Sequence, residues 1–303
     1  MDRIDALRLF VRVVETGSFS RAARDLQVTQ PTVTRQVAAL EEGLRQRLFN
    51  RNTRRLSLTD AGRLYYERAQ LLLDTFDETE TLLRGPSGQL RGRLRVATSV
   101  AFGRRVVTPL VLSFMQAHPQ VQVDLSCEDA YVDIVAQGID VSVRLGRLRD
   151  SALAARHLGE NPWVTVAAPG YLRRHARPER PADLARHNVL IYSTVFGDDT
   201  LPYSHPRHGR VPVRVSGSFR SNSLSSLLAA ARADFGIAAL PMYVAAASLN
   251  EGKVHTVLPD YALPSQEIHA VFPSRRLISA RVTALVDHLA QAFARPDWYA
   301  GAT

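Results

Sequence analysis

Lysine is almost missing from this chain: of 38 basic residues only Lys253 is lysine. The bias is compositional, although arginine also suits bidentate contact with phosphate. Cysteine is nearly as scarce. With Cys127 alone, an intrachain disulfide and a cysteine-based metal cluster are excluded. In its strand-like run Cys127 reads as a small buried residue. Long apolar runs are missing too. The longest, near residues 238–249, is shorter than the ~20 residues that cross a bilayer. The N-terminus is charged from Asp2 onward and has no signal-peptide pattern, so a cytoplasmic protein without a membrane partner is expected. No GxSxG elbow, P-loop, GxGxxG or HExxH occurs, so no enzyme class is indicated. The nine histidines are scattered. His205 and His208 flank Arg207 in a proline-rich loop, a spacing that reads as exposed loop rather than metal site. Neither a metal nor a cofactor is expected.

What is present fits a globular protein. At 303 residues the chain holds two or three compact units, and 46% hydrophobic with 22% charged residues is ordinary. The net charge of +9 favours a polyanionic partner, but its distribution says more. Residues 21–63 hold nine arginines and four acids; residues 64–84 hold two arginines and five acids.

The basic stretch carries the most specific pattern. FSRAARDLQVTQPTVTRQ, residues 19–36, reads as two short helices around a tight turn. Ser20 is the expected N-cap of the first, and Ala22, Ala23 and Leu26 its buried side. Thr29 is the expected N-cap of the second, with Pro31 in its first turn, where a missing N–H costs little. Val33, Val37 and Leu40 mark the inward face. Gln30, Thr32, Thr34, Arg35 and Gln36 face outward, and such side chains hydrogen-bond base edges in a major groove. A helical hairpin with a merely solvated polar face would show the same pattern. The next segment favours a helix-turn-helix with residues 29–42 as recognition helix. Residues 48–51 and 55–58 alternate around a polar turn, which predicts a hairpin tipped by Arg51, Arg54 and Arg55. Arginine there suits phosphates or a minor groove.

Taken in order, LRLFVRVVETGSFSRAARDL, TQPTVTRQVAALEE, RLFNRNTRRLSLTDAG and the long helix after them resemble the N-terminal domain of LysR-type transcriptional regulators. The resemblance covers residues 1–84 and agrees with the length of the chain. It implies that Gln30, Pro31, Thr32, Thr34 and Arg35 face the major groove, and that Arg51 and Arg54 reach the flanking backbone or minor groove. One departure stands out. The family places a glycine just after the recognition helix, where this chain has Arg45 and carries Gly43 two residues earlier. The end of that helix is therefore left open.

Ahead of the helix-turn-helix, residues 3–16 form a helix whose Leu7, Phe10, Val11 and Val14 pack beneath it; Gly17 ends it. Behind it, Thr59 or Asp60 caps a helix to about Leu83. Ala61, Tyr65, Leu72, Phe76 and Leu83 form a seam widened by Leu64 and Leu71. Such a helix packs on its own domain or finds a partner. The resemblance implies an antiparallel pair between two chains, with Tyr65, Leu72 and Phe76 as dimer contacts. Gly85-Pro86-Ser87-Gly88 is a hinge composition. The expected domains are thus a winged helix-turn-helix over 1–58, a linker helix and hinge over 59–88, and an effector domain over 89–303.

From Arg91 on, strands and helices alternate. Strands are expected at 94–98, 121–126, 139–145, 163–168, 189–193, 211–219, 237–240 and 268–272. Helices are expected at 102–117, with Val106, Leu110 and Phe114 on one face, and at 131–136, 224–232 and 280–293. The rhythm predicts an α/β domain with a largely parallel sheet. The resemblance implies a two-lobed fold like that of periplasmic binding proteins. Lobe I spans about 91–161 and 267–295, lobe II about 162–266, and the last strand and helix return to lobe I.

A small molecule is expected in the cleft, beyond the carboxyl ends of the strands. Residues 98–101 and 221–223 precede helices whose free N–H groups favour an anion. Candidates are Ser99, Val100, Phe102, Tyr131, Arg144, Leu145, Ser193, Thr194 and Asn222. Ser99 and Asn222 are equally readable as helix caps, and Arg144 as a surface arginine. The expected protein is a transcriptional regulator whose cleft senses a small organic anion. Its partners by resemblance are double-stranded DNA, that effector, further copies of the chain as dimer or tetramer, and RNA polymerase. The rivals are a regulator controlled by a protein partner and an α/β enzyme with an N-terminal oligomerisation arm.

Overall fold

The computed structural model of the chain describes residues 3–52, 55–83, 90–130, 134, 137–148, 153–193, 199–273 and 278–301. The chain divides into two compact units, Met1–Gly92 and Arg93–Thr303.

In the first unit, α1 (Arg3–Thr16), α2 (Phe19–Asp25) and α3 (Gln30–Leu44) surround Leu9, Phe10, Val13, Ala22, Ala23, Val33 and Val37. Ser18, not Ser20, caps α2, accepting from Arg21 N at 3.3 Å. The helix begins two residues earlier than the expected cap requires, so Ser20 already lies in its first turn and its hydroxyl donates to Gln30 Oε1 at 2.9 Å. Thr29 caps α3. The end of α3 is closed by Arg45 itself, in the left-handed region at φ 52°. Its N–H donates to Glu42 O at 3.0 Å and that of Gln46 to Glu41 O at 3.1 Å, the paired bonds usually built on glycine.

The wing is the antiparallel hairpin of β1 (Phe49–Asn52) and β2 (Arg55–Leu58). Glu41 ties it to α3. Its buried carboxylate accepts from Leu48 N at 2.7 Å and Phe49 N at 3.1 Å. Thr59 caps α4 (Asp60–Leu83), accepting from Gly62 N at 2.9 Å. Along α4, Ala69 and Leu73 are buried in this core and Tyr65 sits edge-on to Phe10, with ring centroids 5.3 Å apart. Leu64, Leu72 and Phe76 stay exposed. The side chains of Leu71 and Leu83, residues 53–54 and the hinge at 85–88 lie outside the described residues.

The second unit holds two mixed five-stranded sheets. Lobe I is built on β3 (Arg91–Thr98), β4 (Gln120–Cys127), β5 (Val141–Leu145), β6 (Ala154–Asn161) and the returning β14 (Gln266–Phe272), in the order β4-β3-β5-β14-β6. Strands β3 and β5 are parallel, whereas β14 runs antiparallel to both β5 and β6. Lobe II is built on β7 (Trp163–Ala167), β8 (Val189–Tyr192), β11 (Arg220–Ser221), β12 (Ile237–Pro241) and β13 (His255–Thr256), in the order β11-β8-β12-β7-β13. The expectation of largely parallel sheets is corrected on this point. Chain passing between lobes enters β7 and β14 from the opposite direction, so each pairs antiparallel with its neighbours.

The helices cover these sheets. After β3 the chain turns through α5 (Val100–Phe102) and a π turn (Gly103–Val107) into α6 (Thr108–Ala117). The π turn shifts the buried face. Val107 and Val111 join Val106 and Phe114 inside, and Leu110 is only partly covered. Next come α7 (Pro169–Arg174), α8 (Leu224–Arg232), α9 (Met242–Asn250) and α10 (Ala280–Phe293). The hairpin of β9 (Thr200–His205) and β10 (Gly209–Arg214) stands beside lobe II and replaces the long strand expected at 211–219. The helix expected at 131–136 falls mostly outside the described residues.

Candidate functional site

The first site is the outward face of α3. Val33, Val37 and Leu40 are buried, which turns Gln30, Pro31, Thr34 and Arg35 to the exposed side, with Thr32 half-buried beside them. The polar groups are partly set by their neighbours. Gln30 Oε1 receives the Ser20 hydroxyl, leaving its amide N–H groups outward. The Thr34 hydroxyl donates to Gln30 O at 3.1 Å, and the hydroxyls of Thr29 and Thr32 pair at 2.8 Å. Arg35 makes no hydrogen bond or ion pair among the described residues. Arg12, beneath the motif, is held by Asp25 and Glu15. Of the wing arginines, the side chains of Arg51 and Arg55 and all of Arg54 lie outside the described residues.

The second site is a cavity of about 450 Å³ in the second unit. This volume is in the range of small-molecule sites. Lobe I contributes Thr98, Ser99, Glu128, Asp129, Arg144, Leu145 and Gln266; lobe II contributes Tyr192, Asn222, Leu224, Pro241 and Tyr243, with Trp163 at the crossover. Four candidates from the sequence therefore line it: Ser99, Arg144, Leu145 and Asn222. The capping alternatives for two of them do not apply. Ser223, not Asn222, caps α8, accepting from Ser226 N at 3.3 Å, and Ser99 makes no side-chain cap bond.

Three candidates do not line it. Phe102 is fully buried, its ring centroid 5.1 Å from that of Tyr243, 5.9 Å from Phe293 and 6.0 Å from Trp298. Its helical position turns it from the cleft into the layer where α9, α10 and the Trp298 turn meet. Val100 stands exposed outside the cavity, and its N–H is taken by Asp129 Oδ1 at 3.0 Å. Ser193 follows the end of β8 and donates its N–H to Ser221 O at 3.1 Å. Tyr131 and Thr194 lie outside the described residues. The expectation that free N–H groups at both helix starts await an anion is thus weakened by the chain's own acceptors, Asp129 and Ser223.

Sequence reasoning missed the aromatic walls, Trp163, Tyr192 and Tyr243, and the acids Glu128 and Asp129. It also missed Gln266, whose Oε1 accepts from both Asn161 Nδ2 and Trp163 Nε1 at 3.0 Å. That side chain joins the two crossovers between the lobes. The available signal was position: Trp163 opens β7 and Gln266 opens β14, where the chain changes sheets. Cys127 stands behind the cavity wall, packed against Gly103, where a Cβ would have no room. Burial, and then Asp129, push its thiol pKa up, away from a reactive thiolate.

These two sites match one known architecture. Residues 4–63 fit the model of bacterial regulatory helix-turn-helix proteins of the lysR family, and residues 87–294 fit the LysR substrate binding domain. The chain belongs to the LysR-type family of transcriptional regulators. A similar relative is the HTH-type transcriptional activator AaeR of Escherichia coli (strain K12), 31% identical over 97% of this chain and 94% of its own. An HTH-type transcriptional repressor of Pseudomonas aeruginosa (strain UCBPP-PA14) is 33% identical over 97% of this chain and 93% of its own. Among solved structures, CrgA, a LysR-type transcriptional regulator from Neisseria meningitidis, superposes with a TM-score of 0.62 at 30% identity, covering 96% of this chain and 99% of that one. The winged helix and the two-lobed domain are thus those of a DNA-binding regulator with an effector-binding domain, and not those of an enzyme.

Proposed function

We propose that the chain reads its operator with Gln30, Pro31, Thr32, Thr34 and Arg35 of α3, assisted by Arg51 and Arg54 of the wing. The observation that carries this is the outward face of α3: the buried positions leave a polar strip with an arginine that is unpaired among the described residues, on a helix that fits a major groove. Arg51 and Arg54 rest on the sequence and the family resemblance. The protein acts in the cytoplasm, where its DNA is, and contact with RNA polymerase would follow from binding at promoters. Selecting operator fragments from genomic DNA with the full chain, then measuring affinity on the winner and on random duplex, tests the reading. A selected site bound no better than random DNA would sink it.

The cleft senses a small organic molecule with an acidic group, for which Arg144 supplies the only cationic side chain among the described lining residues. Such a molecule alters the DNA complex only through better binding to one arrangement of the lobes. Self-association rests on α4, where Leu72 and Phe76 of the expected seam stand exposed together with Leu64, whereas Tyr65 is half-buried against Phe10. A dimer paired there, and a tetramer built from two such dimers, would engage adjacent half-sites with raised effective concentration. Light scattering on the full chain and on Leu72→Glu/Phe76→Glu checks this: the double variant should be smaller.

A further inference from the structure

The cavity is polarised, and its acid-lined end is unexplained by an acidic effector alone. Strand order places the two ends. Glu128 and Asp129 follow β4 at one edge of the lobe I sheet; Arg144 lies on β5 and Gln266 on β14, two and three strands away. At ~4.8 Å per strand the ends are about 10–14 Å apart along the sheet.

At the β4 end the groups accept. The Glu128 carboxylate has no hydrogen bond or ion pair among the described residues, and Asp129 uses only Oδ1, on Val100 N–H. Thr98, whose carbonyl accepts from Glu128 N at 2.9 Å, is 5% exposed, and its hydroxyl has no hydrogen-bond partner among the described residues. A buried hydroxyl left unpaired is costly, and Thr98 belongs to the cavity lining beside Glu128 and Asp129.

At the β14 end the groups donate. The indole N–H of Trp163 is a donor only, so the Gln266 atom facing it must be the oxygen. Gln266 therefore turns its amide N–H groups away from the crossover, and they meet no acceptor among the described residues. Aromatic side chains also line the cavity, Trp163 and Tyr192 with ring centroids 6.1 Å apart, and Tyr243.

We infer that the effector is a zwitterion with separated charges. An ammonium group sits at Glu128 and Asp129. An acidic acceptor sits at Gln266 and Arg144, and an apolar or aromatic spacer lies against the rings. Aromatic faces favour a cation as well as apolar surface, so the walls suit either part of such a ligand. This inference rests on the cleft being the sensory site.

Three probes on one skeleton separate the ends: 4-(aminomethyl)benzoate carries both charges, 4-methylbenzoate the anion alone and 4-methylbenzylamine the cation alone. Calorimetric titration of the full chain should show 4-(aminomethyl)benzoate binding about five- to ten-fold tighter than either single-charge probe. In Glu128→Gln/Asp129→Asn its affinity should fall to that of 4-methylbenzoate, whose own affinity should not drop. Equal or tighter binding of 4-methylbenzoate by the wild type overturns the inference. So does an unchanged preference in the double variant, or no binding of any probe at millimolar concentration. The DNA measurement above is independent of these titrations, so failure of the regulatory reading and failure of this ligand class register in different experiments.

Discussion

The reading helix and the cleft use polar side chains in opposite ways. On α3 they stand outward, and Arg35 is exposed and unpaired among the described residues. In the cleft some are held by the chain itself, Gln266 by Asn161 and Trp163 and Asp129 by Val100, while the Glu128 carboxylate and the sealed-in Thr98 hydroxyl have no partner among the described residues. A rigid surface reader needs only an exposed helix on a sound core. A cavity that must respond to a ligand needs groups whose hydrogen bonding is incomplete until the ligand arrives. The first arrangement follows from one short segment; the second requires segments far apart in the chain.

The largest expected effect separates the units by their cores. Phe102 is fully buried beneath Tyr243, Phe293 and Trp298, so Phe102→Ala should destabilise the second unit by about 3–5 kcal/mol. Urea unfolding followed by tryptophan fluorescence reports that unit, since Trp163 and Trp298 both lie in it. The part of the helix-content transition that belongs to α1–α4 of the winged unit should stay where it was. If both transitions move together, the two units do not behave as separate cores.

Next in size is the bond that fixes the wing to α3. Glu41→Ala leaves the buried N–H groups of Leu48 and Phe49 without their acceptor, a loss of about 2–3 kcal/mol in the first unit. Glu41→Gln keeps an acceptor oxygen and should recover much of it. Equal loss in both variants would show that charge, and not the acceptor geometry, holds the wing.

The same contrast explains what could be read from the sequence. Helix α3, helix α4 and α10 carry one apolar face each, and periodicity located them closely. Three elements were not legible. Strand β6, AARHLGEN, is a polar edge strand that buries only Ala154, Leu158 and Asn161. The β9–β10 hairpin has Pro202 opposite Pro212, which masks its strand pattern. Helix α9 is apolar nearly all round because it is buried nearly all round, so no period distinguishes it. In the cleft, Ser99, Arg144 and Asn222 were legible as residues at strand or helix ends. Trp163, Tyr243 and Gln266 were not, because only the crossover between lobes brings them together.

On the DNA side, Arg35→Ala should cost about 1–3 kcal/mol on the selected operator if the guanidinium reads a base, and much less on random duplex. Fluorescence anisotropy on both duplexes measures the difference. Equal losses would make Arg35 a phosphate contact and weaken the contrast between a reading surface and a sensing cavity.

The smallest effect is a gain, and it tests how far the winged unit tolerates a departure from its family. Arg45 occupies the left-handed region at φ 52° to close α3, a conformation that costs a side-chain-bearing residue about 1–2 kcal/mol. Glycine adopts it freely but loses more backbone freedom on folding, a penalty of about 0.5–1 kcal/mol. The closing hydrogen bonds from Arg45 N and Gln46 N are backbone bonds and survive the change, and the Arg45 side chain makes no hydrogen bond or ion pair among the described residues. The balance favours glycine. Arg45→Gly should stabilise the first unit by about 0.5–1 kcal/mol, read as a higher urea midpoint with an unchanged slope. Arg45→Ala, which removes the same side chain but keeps the Cβ, should show no such gain. A gain of equal size in both variants would trace the effect to the removed charge in a stretch already rich in arginine, and the left-handed closure of α3 would then carry no measurable strain.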